Sequence, residues 1–149
     1  MFNTRTAIGA LMGVISLSSV SMAAEIKFGI GVAEGDYPEY NAVLRFKEYV
    51  EFKTNGEITV RLFPGNQLGG EREMLEQVQQ GSLELTLPAD GAMAGFYPPM
   101  QVWSVPYIFE SAPIAWEVMN GPFGDAMRED ILEETGMRAL AFSQNGFRS

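Results

Sequence analysis

Ile58-Thr59-Val60-Arg61-Leu62-Phe63-Pro64-Gly65-Asn66-Gln67-Leu68-Gly69-Gly70-Glu71-Arg72-Glu73-Met74-Leu75-Glu76-Gln77-Val78-Gln79-Gln80-Gly81-Ser82-Leu83-Glu84-Leu85-Thr86-Leu87-Pro88 is the stretch whose reading decides the fold. Its first six residues alternate apolar and polar, as a strand does, and run into Pro64-Gly65-Asn66, a cluster that reverses the chain. From Glu71 the spacing becomes helical: Met74, Leu75 and Val78 share one face, Glu71, Arg72, Glu76 and Gln79 the other. Gly81 stops the helix. Leu83, Leu85 and Leu87 then alternate with Ser82, Glu84 and Thr86 up to Pro88, which predicts a second strand. Strand, helix and strand on short links predict a right-handed βαβ crossover between parallel neighbours. Such sheets carry their functional loops beyond the carboxyl ends of the strands.

Outward from this unit, the same reading extends in both directions. Ile26, Phe28 and Ile30 predict a strand over Glu25 to Gly31, emptying into the loop Gly31 to Asp36, whose glycines lack the spacing of a dinucleotide fingerprint. Pro38 to Thr54 has helical spacing and closes at Asn55-Gly56. After Pro88, Ala89 to Gly95 is small and flexible in composition, and Pro98-Pro99 predicts an extended passage through Pro106. Ser111 with Pro113 starts a short helix that ends at Asn120-Gly121-Pro122. A further helix is expected from about Asp125 to Thr135 with Gly136 as its stop, and Met137 to Phe142 as a last strand. The fold class expected is α/β, a mainly parallel sheet flanked by helices.

Residues 1–23 hold one charge, Arg5, then an apolar run from Ala7 to Val20, then Ser21 and Ala23 around Met22, the pattern of a secretory signal peptide. The apolar run is short for a bilayer span. An exported mature chain from residue 24 follows, and its formal charge is −10, because Arg5 leaves a chain whose charge is −9.

Across the 149 residues there is neither cysteine nor histidine, which removes disulfides, thiolate nucleophiles, Ser-His-Asp arrangements and the commonest metal ligands. No cofactor is implied. With 19 acidic residues against 10 Lys plus Arg, phosphate backbones and anionic surfaces are repelled, so nucleic acid is not an expected partner. An anionic ligand must then be held by particular arginines.

If the strands share one sheet, four loops gather at one edge: Gly31 to Asp36, Pro64 to Gly70, Pro88 to Gly91, and Gln144 to Arg148. The guanidinium of Arg148 can grip a carboxylate with two parallel hydrogen bonds, with Gln144 and Asn145 adding neutral contacts; the alternative is a solvated arginine near the terminus. The N-terminus of the helix after Gly70 can receive an anion, or be satisfied by its own Glu71 and Glu73. Asp90 and Ala89 can meet ligand hydroxyls, or form an ordinary turn. Phe96, Trp103, Tyr107, Phe109 and Phe123 read as packing before they read as an aromatic wall. Asp36, Glu39, Glu48 and Glu51 read as a solvated face rather than a metal cluster.

Several motifs resemble one family. Phe63 to Glu73, preceded by Lys53 to Ile58, and then Gln80-Gly81-Ser82-Leu83-Glu84, Val105-Pro106-Tyr107-Ile108-Phe109, Gly121-Pro122-Phe123-Gly124 and Asn145-Gly146-Phe147-Arg148 resemble the DctP-type solute receptors of tripartite ATP-independent periplasmic (TRAP) transporters. The resemblance runs from Ile26 to Ser149. It implies a type II periplasmic binding protein fold, of which residues 24–149 are most of the first lobe, without the second. It implies a periplasmic, non-enzymatic and monomeric receptor. Such a receptor captures an organic acid and delivers it, without ATP, to membrane permease subunits driven by a sodium gradient. It places Arg148 at the first-lobe arginine that contacts the carboxylate region, while the family's main clamping arginine belongs to a second-lobe stretch that these residues do not include. The candidate binding residues are Arg148, Asn145, Gln144, Asp90, Ala89, Gly70 and Gly31. Two other classes compete with this reading: a secreted hydrolase using paired carboxylates, and an exported interaction domain without a small ligand.

Overall fold

The computed structural model describes residues 24–143, which form three strands and five α-helices. The strands are β1 (Ala24–Ile30), β2 (Ile58–Phe63) and β3 (Leu85–Leu87), all parallel, in the order β2-β1-β3. Helix α1 (Pro38–Lys53) crosses from β1 to β2, and α2 (Glu71–Gln79) from β2 to β3. The chain continues through α3 (Asp90–Met93), a 3-10 helix at Pro98–Ser104, α4 (Ala112–Met119) and α5 (Pro122–Thr135). Placing β1 between its two successors turns both crossovers away from a common centre, so the loops after all three strands meet at one edge.

The two faces of β1 divide the helices. Ile26, Phe28 and Ile30 meet Tyr40, Val43, Leu44, Phe46 and Val50 of α1, together with Val60 and Leu62 of β2 and Leu85 and Leu87 of β3. On the opposite face α2 lies close against the strand at Gly29, where a Cβ would fall 2.6 Å from Met74 Sδ and 3.2 Å from Leu83 Cδ2. Met74 is completely buried there, and only a glycine leaves it room. A second core joins Leu75 of α2 to Met93, Tyr97, Ala115, Met119, Met127, Ile131, Met137 and Phe142. Trp103 packs against that core with rings of Phe109, Phe123 and Phe142 around it at centroid distances of 5.6 to 5.9 Å, and Phe96 packs there too, whereas Tyr107, also expected as packing, is 94% exposed.

The outer edge of β2 is closed by side chains of α1. Val60 donates its N–H to Glu51 Oε1 at 2.9 Å, and its carbonyl accepts from Lys47 Nζ at 2.8 Å, while Lys47 and Glu51 are also paired with each other. An exposed edge strand invites pairing with another chain, and this ion pair occupies its groups. Glu51 is therefore no part of a solvated face.

Five expectations are corrected. Met137 to Phe142 forms no strand among the described residues: Met137 and Ala139 turn inward in alternation, but both Met137 and Phe142 are consumed by the helical core. The strand expected from Leu83 begins at Leu85, because Ser82 and Leu83 still return their N–H groups to Gln77 at the end of α2. Pro98–Ser104 is a 3-10 helix rather than an extended passage, since proline suits the first turn of a helix as well as an extended chain, and only Val105 after it is extended. Ala89 to Gly95, read as flexible, contains α3. Helix α5 also starts three residues early, with Pro122 in its first turn.

Candidate functional site

The carboxyl ends of β1, β2 and β3 are held together by main-chain and carboxylate bonds. The loop after β2 turns through Gly65 and Asn66, both left-handed at φ 64° and 60°, which glycine and asparagine tolerate. It is stitched to β1 by Gly65 N–H to the Val32 carbonyl at 2.8 Å and Asn66 N–H to the Ile30 carbonyl at 3.2 Å. The chain then enters α2 through Gly69, at φ 108°, and Gly70. Gly70 donates its N–H to Glu73 Oε2 at 2.8 Å, which is the acidic half of a capping box, so one of the free N–H groups of this helix start has its acceptor within the helix.

Glu71 is the residue at which the loops converge. Its Oε2 accepts the N–H of Ala89, after β3, at 3.0 Å. A Cβ on Gly31, after β1, would lie 3.0 Å from Glu71 Oε1 and 3.4 Å from Asn66 Oδ1. Gly31 thus lets a half-buried carboxylate approach the end of the central strand, with the Asn66 amide beside it. Among the expected residues, Gly31, Ala89 and Gly70 are brought to this edge. Asp90 follows as the first residue of α3, and its carboxylate accepts a hydrogen bond from the Ser104 hydroxyl, which ties the 3-10 helix to the site. Gln144, Asn145 and Arg148 lie outside the described residues.

Two residues were not singled out by the sequence reading, Glu71 and Asn66. In the sequence Glu71 only complements the helix dipole; the signal for its role is its place directly after Gly69-Gly70, where a short link to a parallel strand sends the first helical side chain back over the sheet edge. Arg72, its neighbour, turns elsewhere: Nε lies 3.2 Å from Glu76 Oε1 and the guanidinium sits 5.6 Å over the Phe96 ring. The described part of the edge therefore offers acceptors, in Glu71, Asp90 and the Asn66 amide, and no cation among the side chains named above.

The perturbed ionisable groups lie away from Glu71. Burial, then the nearby Glu34 carboxylate of the loop after β1, raises the Tyr40 hydroxyl. Burial, then Asp130 and Glu134, raises that of Tyr97, whose hydroxyl is 3.4 Å from Asp130 Oδ2. Among the described residues no group of three or more acidic side chains is placed to hold a metal ion, and no helix is long and apolar enough to cross a membrane. The surface grooves at α1 line Asn41, Leu44, Arg45 and Glu48 on one side and the β2 edge on the other, not the loop cluster.

The chain is similar to known proteins in sequence and fold. The model of the family described as bacterial extracellular solute-binding protein, family 7 (DctP), matches residues 29–149. The C4-dicarboxylate-binding periplasmic protein DctP of Rhodobacter capsulatus is 36% identical, over 97% of this chain and 45% of its own length. The 2,3-diketo-L-gulonate-binding periplasmic protein YiaO of Escherichia coli is 29% identical, over 93% of this chain and 42% of its own. Among solved structures, a TRAP periplasmic solute-binding protein of Haemophilus influenzae with bound L-gulonate superposes with a TM-score of 0.75 at 30% identity, over 83% of this chain and 40% of that one. The sugar acid binding protein DctPAm of Advenella mimigardefordensis, in complex with galactonate, gives 0.78 at 29%, over 83% and 39%. The chain thus spans less than half the length of these relatives. By the family match over most of its residues, it belongs to family 7 of the bacterial extracellular solute-binding proteins, the DctP family of receptors.

Proposed function

We propose that the protein is the periplasmic receptor of a TRAP transporter, capturing an organic acid and delivering it to sodium-coupled membrane permease subunits. The observation that carries the site is the meeting of Gly31, Asn66, Glu71 and Ala89 at the carboxyl ends of three parallel strands. Carboxylates at that edge repel the acid group of a ligand and accept hydrogen bonds from its hydroxyls. The ligand's carboxylate is then assigned to Arg148, with Asn145 and Gln144 beside it, and its hydroxyls to Glu71, Asn66 and Asp90, the backbone of Gly31, Gly70 and Ala89 forming the floor. A hydroxylated acid satisfies both ends; L-gulonate and galactonate, bound by the structural relatives, have this chemistry.

Isothermal titration of the full-length protein against aldonates and unsubstituted dicarboxylates tests the reading. Heat of binding with an aldonate is expected, with a large loss of affinity in Arg148→Lys, whose point charge lacks the forked geometry. Absence of heat with every acid, alongside tight binding of a neutral sugar, overturns it.

A further inference from the structure

Asp90 and Ser104 stand fourteen residues apart, and the Ser104 hydroxyl donates to Asp90 Oδ2. Both ends of that bond rest on restrained backbone. On one side, the Ala89 N–H is held by Glu71 Oε2, and the Asp90 carbonyl accepts the Ala94 N–H at 2.8 Å. On the other, Pro98 and Pro99 fix the entry to the 3-10 helix, and the Met100 N–H donates to the carbonyl of buried Tyr97 at 3.0 Å. Trp103, the neighbour of Ser104, gives its Nε1–H to Met127 Sδ at 3.1 Å. Only two short side chains are left to order, and a hydroxyl donating to a carboxylate makes one of the stronger hydrogen bonds. Ser104 is exposed and belongs to neither core, so this bond is the one role its side chain shows among the described residues.

We infer that Ser104 is a positioning residue for ligand recognition: it fixes the Asp90 carboxylate before the ligand arrives, and so favours acids that bear hydroxyls over unsubstituted dicarboxylates. The inference rests on the receptor reading above, in which Asp90 meets a ligand hydroxyl. With its proton committed to Oδ2, Ser104 has only lone pairs left to offer, and Oδ1 of Asp90 is an acceptor as well. The pair therefore reads a donor. A ligand hydroxyl supplies one, whereas the second carboxylate of a dicarboxylate brings only acceptors and a like charge. Glu71, bonded to the adjacent Ala89 N–H, adds a charge of the same sign. Because Ser104 orders Asp90 beforehand, the ligand does not have to. Without that hydroxyl the rotamers of the carboxylate must be fixed during binding, and affinity falls.

Isothermal titration of the full-length protein with galactonate and with succinate tests it. The wild type should bind galactonate more tightly than succinate. Ser104→Ala should weaken galactonate binding by about fivefold, the worth of one such hydrogen bond, and succinate binding by less. Ser104→Thr keeps the hydroxyl and should restore most of the loss. In an Asp90→Ala background, Ser104→Ala should cost nothing further, because its effect passes through that carboxylate. Four results overturn the positioning role and leave the receptor reading standing: galactonate binding indifferent to Ser104→Ala or to Asp90→Ala, an alanine loss that Ser104→Thr does not relieve, the full loss repeated in the Asp90→Ala background, or a wild type that prefers succinate. Absence of heat with galactonate overturns the inference outright, and absence with every acid overturns the receptor reading as well.

Discussion

Glu71 and Ala89 are separated by eighteen residues and joined by one hydrogen bond, the Ala89 N–H donating to Glu71 Oε2 at 3.0 Å. The bond locks the start of α2 onto the loop leaving β3, and holds the carboxylate over the end of the central strand. Glu71→Ala should cost about 1 kcal/mol of stability, the net worth of such a bond, and speed amide exchange at Ala89. Glu71→Gln keeps an acceptor and should exchange more slowly than the alanine variant. Native-state hydrogen exchange reads both; an Ala89 amide equally protected in all three proteins would show that the bond is absent in solution.

Gly29 is the one position of β1 without a side chain toward α2, and Met74 occupies the space. Gly29→Val puts two methyl groups where Met74 Sδ lies 2.6 Å from the Cβ position, so it should destabilise by about 1–3 kcal/mol through overpacking. Adding Met74→Ala should recover part of that loss, because the cavity left by one change receives the other. Urea denaturation of the single and double variants checks the coupling; additive losses would mean that the two sites do not touch.

The βαβ core was legible because its signals are local: alternation over Ile58 to Phe63, helical spacing after Glu71 and a left-handed glycine at Gly81 each act within a few residues. Met137 to Phe142 shows the limit. Alternating burial of Met137 and Ala139 is present, yet a strand exists only with a neighbour, and adjacency is a property of the tertiary fold. Glu71 was hidden for the same reason, since its partners Gly31 and Ala89 are distant in sequence. Glu51 read as solvated because its partner is a main-chain N–H of the next strand, which no residue pattern marks.

Gly69 reaches φ 108°, and the space beside its missing Cβ is filled by the Glu73 carboxylate that caps Gly70. Gly69→Ala should therefore cost about 1–3 kcal/mol, the range for a side chain forced into this backbone region. Removing the steric part with Glu73→Ala should relieve only a fraction, since the dihedral strain stays and the Gly70 N–H loses its acceptor. Thermal unfolding of the two single variants and the double separates the terms; full recovery in the double would assign the whole cost to the carboxylate clash.

The Lys47 and Glu51 pair gives the fold an acid-sensitive edge. The hydrogen bond from Lys47, followed by that from Val60 N–H, lowers the Glu51 pKa below the ordinary 4.5, and partial burial opposes them. A depressed carboxylate stabilises the folded state fully above the unfolded-state value and ceases to as pH falls through the folded one. Glu51 thus contributes its stabilisation at neutral pH and loses it on acidification below about 4.5. Glu51→Gln should be less stable than the wild type at pH 7 and should narrow that gap as pH falls toward 3, because only the wild type has this charge to lose. Lys47→Met should move the Glu51 titration back toward higher pH, removing the largest cause of the shift. Denaturation midpoints across this pH range, with carboxyl titration by NMR, give both readings; a gap between wild type and Glu51→Gln that is the same at pH 7 and pH 3 would show that this carboxylate bears no part of the acid limb.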